Sequence, residues 1–462
     1  MVNSLIEYDR TDPCSIEAYA KKLVGKSFKD VIEENKEASD DKENKKNKGN
    51  LGQIIEYYYF HYDCNSDSKA DFYEAGIELK VSPYKVNANG TLSAKERLVL
   101  TMIDYFNVVN EKFEESHLWN KSKMILLIYY LYQKDIKQTL DYKIKYSYLF
   151  IPPEQDIKII KNDYEIIVDK IRNGKAHELS EGDTMYLGAC TKAATSADRR
   201  KQPFSNELAK PRAFSFKSSY MTYVLNNYVQ PGSNGAEQIV VDNATDSFED
   251  YVVNKVSAYC GYTINNLCSK FEVDITKKPK NLGALLAYRI LGIKGNKAEE
   301  FEKANIVLKT IRVGKNGKIK ESMSFPAFKF KELVKEEWED STFGNYLRET
   351  RFFFVVFKVD KSGELRLIGS RFWHIPYDDL EKDVKCVWKK TVNVLKKGLK
   401  IENYDGKNHD NFPKATENRV CHVRPHAQNA SDTYELPDGR MYPKQCFWLN
   451  NTYVMSQIRE LL

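Results

Sequence analysis

The stretch Asp71-Phe-Tyr-Glu-Ala-Gly-Ile-Glu78-Leu-Lys80 combines a clear strand pattern with a cluster of charged residues. From residue 76 to residue 81, apolar and charged residues alternate, and this period of two predicts a half-buried strand. Glu78 and Lys80 then project from one face of the strand, and Asp71 lies a short loop upstream. Two carboxylates beside a lysine suit metal-assisted phosphodiester hydrolysis, because carboxylates bind Mg²⁺ and a lysine can orient the attacking water and offset charge in the transition state.

The spacing of these charged residues leaves two interpretations open. Charged residues make up 29% of the chain, so the same spacing also arises by chance on an edge strand with a solvated face. The rest of the chain decides between a metal site and such a strand.

Composition indicates a folded protein with more than one domain. A chain of 462 residues exceeds one typical core, and its hydrophobic content of 42% argues against general disorder. The net charge of +6 comes from mixed charges, which permits local nucleic-acid contacts without requiring them. The eight cysteines form no CxxC pair, and neither a signal peptide nor a long apolar run occurs. We therefore expect a reduced, cytoplasmic protein without a membrane segment.

The residue patterns predict an α/β fold with one linker. We expect helices over residues 15–37, 51–60 and 154–173, a polar loop over 38–50, strands over 76–81, 97–102 and 123–131, and a strand followed by a helix over 213–228. A turn at 87–90 makes the strand over 97–102 the hairpin partner of the Glu78 strand. Residues 231–250 are rich in Gly, Pro, Asn and Asp, which is typical of a linker. Two tandem domains follow, residues 1–230 and 251–462, each a mixed sheet flanked by helices.

The two halves of the chain carry similar sequence blocks in the same order. The matching blocks are residues 50–56 with 281–287, 75–80 with 304–309, 95–100 with 320–325, 121–127 with 349–355, and 214–220 with 447–453. Two copies of one fold explain five ordered matches better than coincidence does.

The second copy lacks most of the charged residues that the first copy carries. The paired positions are Glu56 and Ala287, Glu78 and Val307, Lys80 and Lys309, and Lys121 and Glu349. The second copy keeps this lysine, and Glu300 is a candidate counterpart of Asp71, but one acid and one lysine cannot form the same metal site. We therefore predict that the first half carries the chemistry and that the second half keeps the fold without it.

Six longer motifs are spread over both halves. They are Glu74-Ala-Gly-Ile-Glu-Leu-Lys80, Lys95-Glu-Arg-Leu-Val-Leu100, Gly174-Lys-Ala-His-Glu-Leu-Ser-Glu-Gly182, Glu321-Ser-Met-Ser-Phe325, Glu336-Glu-Trp-Glu-Asp340 and Cys421-His-Val-Arg-Pro-His426. Together they resemble the GATC-cutting type II restriction endonucleases of the PD-(D/E)xK nuclease superfamily, whose fold relative is the mismatch-repair nicking enzyme MutH. The resemblance to MutH itself covers about residues 1–230.

This resemblance implies two tandem MutH-like domains and Mg²⁺-dependent cleavage of duplex DNA at GATC, before the G, with a four-base 5′ overhang. It implies that Asp71 and Glu78 are metal ligands, that Lys80 lies near the attacking water, and that Glu56 and Lys121 complete the active site. The C-terminal half is then a catalytically inactive copy that binds a second DNA site and activates cleavage. A companion methyltransferase is expected, because an unprotected host genome would be cut.

Five residues are expected to contact DNA: Lys192, Arg212, Ser215, Arg424 and His426. In MutH, a tyrosine that follows a segment resembling Pro211-Arg-Ala-Phe214 senses N6-methyladenine. The smaller Ser215 stands there in this chain, so we predict cleavage that is indifferent to adenine methylation. Lys192 lies where MutH contacts its recognition sequence, and Arg424-Pro-His426 is the corresponding segment of the second copy.

A symmetric cut at a palindrome needs two catalytic sites, and this chain has one. We expect a monomer that dimerises transiently on DNA, with sequential cutting by one molecule as the other possibility. Two further alternatives stay open, a strand-nicking repair endonuclease and a non-catalytic GATC-binding regulator. The duplicated second half argues against the first, and the complete set of charged site residues argues against the second.

Overall fold

The computed structural model describes residues 7–35, 51–62, 70–87, 89–193, 195, 197–232, 235–239, 247–274, 281–404, 407–429 and 431–462. The polar loop expected over residues 38–50 lies outside these ranges, as does part of the expected linker. The chain divides into two compact units. One comprises Met1–Gly235 with Glu302–Asn305, and the other comprises Ala236–Phe301 with Ile306–Leu462. None of the described helices combines the length and hydrophobicity that crossing a bilayer would require.

The first unit is a mixed α/β structure. Its helices are α1 (Pro13–Lys21), α2 (Phe28–Glu34), α3 (Leu51–Ile54, followed by a π-helical turn over Ile55–Tyr59), α4 (His117–Ser122), α5 (Glu154–Arg172) and α6 (Ser218–Val224). Its strands are β1 (Glu78–Val86), β2 (Leu92–Ala94), β3 (Leu98–Met102), β4 (Ile125–Leu131), β5 (Ile144–Phe150), β6 (Leu187–Thr191), β7 (Arg200–Gln202), β8 (Ser205–Ala209) and β9 (Arg212–Phe216).

The central sheet of this unit has the strand order β2-β1-β4-β5. β1 runs parallel to β4, and β4 pairs antiparallel with β5. β4 is a continuous apolar run because it lies in the middle of the sheet, where residues from Ile125 to Tyr129 are fully buried. The expected strands at Glu78 and over 123–131, and the helix over 154–173, are confirmed.

A second sheet has the order β3-β9-β6, and β7 and β8 form a separate hairpin. The predicted hairpin between residues 97–102 and the Glu78 strand is therefore wrong. The turn is closed by the N–H of Asn87, which donates to the carbonyl of Thr91 at 2.8 Å, so the return strand is the short β2. Leu98 and Leu100 point inward from β3, and they bury their side chains in the second sheet instead.

The helix predicted over residues 15–37 is two helices. α1 begins after Asp12, whose carboxylate accepts two backbone N–H groups. Gly25 has a φ of +96°, a left-handed conformation that interrupts the helical path. Ser27 and Asp30 then form a capping box that starts α2. The apolar spacing continues across this break, which is why the pattern alone suggested one helix.

The second unit is built from the following elements. The helices are α7 (Phe248–Ser257), α8 (Ile264–Lys270), α9 (Leu282–Ile290), α10 (Glu299–Lys303), α11 (Phe330–Leu333), α12 (Thr342–Glu349), α13 (Lys385–Lys397) and α14 (Asn451–Gln457). The last two residues of α10 belong to the first unit. The strands are β10 (Ile306–Val313), β11 (Met323–Ser324), β12 (Arg351–Val359), β13 (Leu365–Trp373), β14 (Ile401–Tyr404), β15 (Lys407–Asp410), β16 (Cys421–Pro425), β17 (Thr433–Glu435), β18 (Met441–Pro443) and β19 (Gln445–Leu449).

The strand pairing of the second unit repeats that of the first. β10 runs parallel to β12, which pairs antiparallel with β13, as β1, β4 and β5 do. β19 lies between β11 and β16, as β9 lies between β3 and β6. Ser116 and Ser341 cap the helix that precedes the parallel strand in each copy. The N–H groups of Lys192 and His426 both donate, at 2.8 Å, to a carbonyl oxygen one residue before the paired strand. The repeat is thus present in the fold as well as in the sequence.

Candidate active site

A tight loop brings two carboxylates together at the start of β1. Phe72 and Ile77 exchange backbone hydrogen bonds of 2.9 and 3.2 Å and so close the loop. Gly76 has a φ of +71° within it, a conformation that glycine adopts without strain. Asp71 and Glu78 are the next residues outward from the closing pair, so they flank the base of the loop on its two sides.

Asp71 is partly buried, and burial raises the pKa of its carboxyl to about 6. The negative charge of Glu78 adds to this shift, as does that of Glu56 more weakly. The N–H of Leu79, which donates to Oδ2 at 2.8 Å, and the ammonium of Lys80 act in the opposite direction. Crowded carboxylates of this kind are stabilised when a divalent cation binds between them.

Glu78 is 1% exposed, and its two carboxylate oxygens have different surroundings. Oε1 lies 2.7 Å from the Nζ atom of Lys80 and 3.3 Å from that of Lys121. Lys121 reaches Glu78 because α4 ends just before β4, where Ile125 pairs with Glu78. Oε2 is buried and has no hydrogen-bond partner among the described residues. A buried carboxylate oxygen without a partner is costly in free energy, which indicates a ligand-binding role.

Glu56 lies in the π-helical turn that follows α3. The sequence predicts an ordinary helix here, and the π turn was not foreseen. Such turns change the direction of side chains and are frequent at functional sites. Tyr58 and Tyr59 are each 4% exposed and pack into the core, which anchors the turn. Glu56 is close enough to Asp71 to raise its pKa.

The donor set is suited to Mg²⁺. Among the described residues, no group of three His, Cys, Asp or Glu side chains closes around a metal position. Mg²⁺ does not require such a cage, because it keeps several waters and is commonly held by one or two carboxylates together with substrate phosphates. Asp71 and Glu78 would provide these carboxylates, and an all-oxygen donor set favours Mg²⁺ over zinc.

Comparisons with known proteins place this site in a family. Residues 60–163 match the family model described as DNA mismatch repair enzyme MutH, and this match contains Asp71, Glu78, Lys80 and Lys121. The Type II restriction enzyme Sau3AI of Staphylococcus aureus is 41% identical over 443 residues, covering 86% of this chain and 90% of the relative. The chain belongs to this family of type II restriction endonucleases. It is a DNA endonuclease with a MutH-like nuclease fold.

The three DNA-contact candidates in the first unit of the endonuclease have different positions. Lys192 is exposed directly after β6. Arg212 is 7% exposed, and its Nη1 atom donates to the carbonyl oxygen of Ala189 at 2.6 Å, so it joins β9 to β6. Ser215 is fully buried between β3 and β6. In this conformation, Lys192 alone of the three has a side chain that faces solvent.

The two candidates in the second unit of the endonuclease are both exposed. The guanidinium of Arg424 lies 4.4 Å from the ring centroid of Trp448, a cation–π contact. The Nδ1 atom of His426 lies 3.2 Å from the Sγ atom of Cys446. Trp448 occupies the strand position that Ser215 holds in the first copy. The sequence did not predict its contact with Arg424. The matched blocks place a tryptophan opposite that serine, and this difference was the available signal.

The second-copy positions paired with the candidate catalytic residues differ from them in the fold. Ala287 is fully buried in α9, and Val307 packs against the core from β10. Burial lowers the pKa of Lys309, whereas Lys80 has the Glu78 carboxylate beside it. Glu349 is the last residue of α12. Ala287 and Val307 offer no side-chain oxygen to a metal ion.

Proposed function

We propose that the first unit of this endonuclease cuts duplex DNA at GATC, before the G, leaving a four-base 5′ overhang, with Mg²⁺ as its cofactor. The observation that carries the proposal is the buried Glu78 carboxylate, which flanks the loop base opposite Asp71 and has one oxygen atom without a partner. The similarity to a type II restriction enzyme over most of the chain supports double-strand cleavage at a defined sequence.

The residues of the site have separate roles in this proposal. Asp71 and Glu78 hold Mg²⁺, which, when bound, offsets the charge of the scissile phosphate. Lys80 orients the attacking water and stabilises the negative charge that develops on the phosphate oxygens. Water adds to phosphorus while the bond to the leaving oxygen breaks, and that oxygen takes up a proton. Lys121 positions Glu78 through the 3.3 Å contact, and Glu56 contributes negative charge near Asp71.

The second unit has a different role in the proposal. It binds a second GATC-containing duplex without cutting it and thereby activates the first unit. The apolar side chains of Ala287 and Val307 support the loss of catalysis, and the exposed Arg424 and His426 support retained DNA contact. With one catalytic site per chain, we propose a monomer that dimerises transiently on DNA. It acts in the cytoplasm, beside a methyltransferase that protects host GATC sites.

We also propose that cleavage is indifferent to adenine methylation. Ser215 is fully buried, so the side chain at this position presents no atom that an adenine methyl group would displace. The small size of Ser215 predicts this indifference, because it leaves room for the methyl group. Burial supports the same outcome by removing the side chain from the surface altogether.

The experiment is a digest of plasmid DNA with several GATC sites, grown with and without adenine methylation, in the presence of Mg²⁺. The wild type is expected to give the same GATC ladder on both DNAs, and Glu78→Ala is expected to give none. The matched control is Glu74→Ala, because Glu74 is an exposed acid of the same loop. Cleavage of unmethylated DNA alone would contradict the methylation claim.

Two results would replace the proposal with one of its alternatives. Open-circular plasmid without linear product would indicate a strand-nicking repair endonuclease. Specific binding of GATC duplexes without any Mg²⁺-dependent cleavage would indicate a non-catalytic regulator.

A further inference from the structure

Helix α13 of the second unit has an unusual charge distribution. It carries five lysines and no acidic residue. The helix at the same place in the first unit is α5, which follows the β4–β5 hairpin as α13 follows the β12–β13 hairpin. α5 carries three lysines, one arginine and five acidic residues. The two copies therefore differ in charge at an element whose place in the fold is the same.

The lysines of α13 and of its two ends lie on one side of the helix. The opposite side is buried, with Val387, Trp388 and Leu395 in the core. The exposed side lines a surface depression of about 710 Å³. We call its lysines the lysine face, which consists of Lys382, Lys385, Lys389, Lys390, Lys397 and Lys400.

Acidic neighbours neutralise only part of the lysine face. Lys382 pairs with Asp378 at 2.9 Å, and Lys390 pairs with Glu417. Lys385 pairs with Glu339 at 3.3 Å and with Glu381 at 3.4 Å, and Glu381 is an acidic residue of the same depression. The other three, Lys389, Lys397 and Lys400, have no acidic partner among the described residues. Like charges three and four residues apart on a helix repel one another, so this arrangement carries an electrostatic cost that a bound polyanion would remove.

We infer that the lysine face binds the phosphate backbone of duplex DNA without regard to sequence. Lys389 and Lys397 are eight residues apart, which corresponds to ~12 Å along the helix, the distance of three to four base steps along one strand. A lysine ammonium group acts as a point charge and lacks the planar, bidentate hydrogen-bonding geometry with which arginine reads base edges. The contact therefore contributes affinity and orientation rather than recognition of GATC. This inference rests on the proposal that the second unit binds DNA, and it assigns a surface to that binding.

Cys386 provides a direct test, because it is an exposed thiol that lines the same depression. In the full-length Glu78→Ala protein, alkylation by a maleimide is followed residue by residue by mass spectrometry, with and without a duplex that lacks GATC. The duplex is expected to slow alkylation of Cys386 several-fold, and high salt is expected to restore the rate. Cys14 and Cys260 are also exposed and serve as internal references that keep their rates. An unchanged rate at Cys386 with saturating DNA would overturn the inference.

A second test uses affinity and does not depend on the thiol. Lys389→Ala/Lys397→Ala, again with Glu78→Ala, is compared with Lys315→Ala/Lys361→Ala, which removes the same charge from two exposed lysines of the same unit. The slope of log affinity against log salt should fall by about 0.9 per lysine removed from the lysine face, hence by about 2 for the first pair. The control pair should keep the wild-type slope. Equal slopes for the two pairs would contradict the inference, and matched melting temperatures would exclude unfolding as the cause.

The tests separate this inference from the proposed function. A wild-type protein that cuts GATC but leaves Cys386 unprotected and the salt slopes equal would overturn the inference alone. A protein that does not cut GATC, yet whose lysine face is protected by DNA, would overturn the proposed function alone.

Discussion

The Oε1 atom of Glu78 lies 2.7 Å from the Nζ atom of Lys80, while the Oε2 atom of the same carboxylate is buried without a hydrogen-bond partner among the described residues. One side chain thus presents one neutralised oxygen and one oxygen that is available to a metal ion. Under the proposed function, this division would leave Lys80 beside the reacting phosphate without competition for the whole carboxylate.

Lys80 and Lys121 are expected to differ in their effect on catalysis. Lys80→Ala removes the charge that we propose lies beside the reacting phosphate, and it should lower kcat by about 10²–10³-fold. Lys121→Ala removes a group that only positions Glu78, and the expected loss is about 10–100-fold. Lys121→Ala also removes a positive charge beside Glu78, which should strengthen the attraction of this carboxylate for Mg²⁺. The variant should therefore reach half of its maximal rate at a lower Mg²⁺ concentration than the wild type. Single-turnover cleavage at several Mg²⁺ concentrations measures both effects, and a higher Mg²⁺ requirement in Lys121→Ala would contradict the positioning role.

Asp71→Asn is expected to stabilise the metal-free protein at pH 7. The pKa of Asp71 is about 6 in the folded protein and has an ordinary value of 3.8. Between pH 3.8 and pH 6, Asp71 is therefore protonated to a greater extent in the folded protein than in the unfolded chain. The free energy of unfolding therefore falls as the pH rises through this range. Asparagine does not titrate, so the variant keeps the stability that the wild type loses. Urea unfolding in EDTA should show an advantage for the variant that is largest above pH 6 and disappears below pH 4.

Asp360→Asn provides the contrast of opposite sign. Hydrogen bonds from Ser362 and Arg366 lower the pKa of Asp360, so its carboxylate stabilises the fold above the ordinary pKa and loses this effect in acid. This variant should be less stable than the wild type at pH 7, and the difference should vanish in strong acid. If both variants showed the same dependence of stability on pH, the raised pKa of Asp71 would be refuted.

Lys192 and Arg212 are expected to separate DNA contact from folding. Arg212→Ala leaves the carbonyl of Ala189 without its donor and should lower the free energy of unfolding by about 1–3 kcal/mol. Lys192→Ala removes an exposed side chain and should leave the melting temperature unchanged while weakening cleavage at GATC. Thermal unfolding and cleavage rates of the two variants check this. Equal melting temperatures for both would show that Arg212 does not support the sheet.

Arg424→Ala is expected to affect activation rather than chemistry. A short duplex with one GATC site should be cut slowly by the wild type, and addition of a second, uncleavable GATC duplex should stimulate this cleavage. The variant should keep the basal rate and lose most of the stimulation, because Arg424 is exposed on β16 of the second unit, which we propose binds the second duplex. Wild-type stimulation in the variant would exclude Arg424 from the second DNA site.

The sequence was sufficient to predict β1, β4 and α5, because each has a long, regular apolar pattern. It also identified the Asp71, Glu78 and Lys80 cluster, which depends on local spacing within one loop and strand. The pairing of β3 with β9 was missed, since strand partners more than 100 residues apart depend on tertiary packing.

The burial of two DNA-contact candidates was likewise beyond the sequence. Arg212 and Ser215 stand in a segment that matches a DNA-contacting one, but β9 is the middle strand of its sheet and turns both side chains inward. Lys192 lies just past the end of β6, where the chain leaves the sheet, and it stays exposed. A sequence match therefore identifies the segment, whereas the position of its strand in the sheet determines which of its side chains are exposed.

The closed loop between Phe72 and Ile77 has a consequence for the order of events in catalysis. Backbone hydrogen bonds bring Asp71 and Glu78 together before any DNA arrives. The entropy of ordering these carboxylates is therefore lost once, when the chain folds, and not again in each catalytic cycle. If these carboxylates hold Mg²⁺ as proposed, the enzyme would load its metal ion before it reaches a cleavage site.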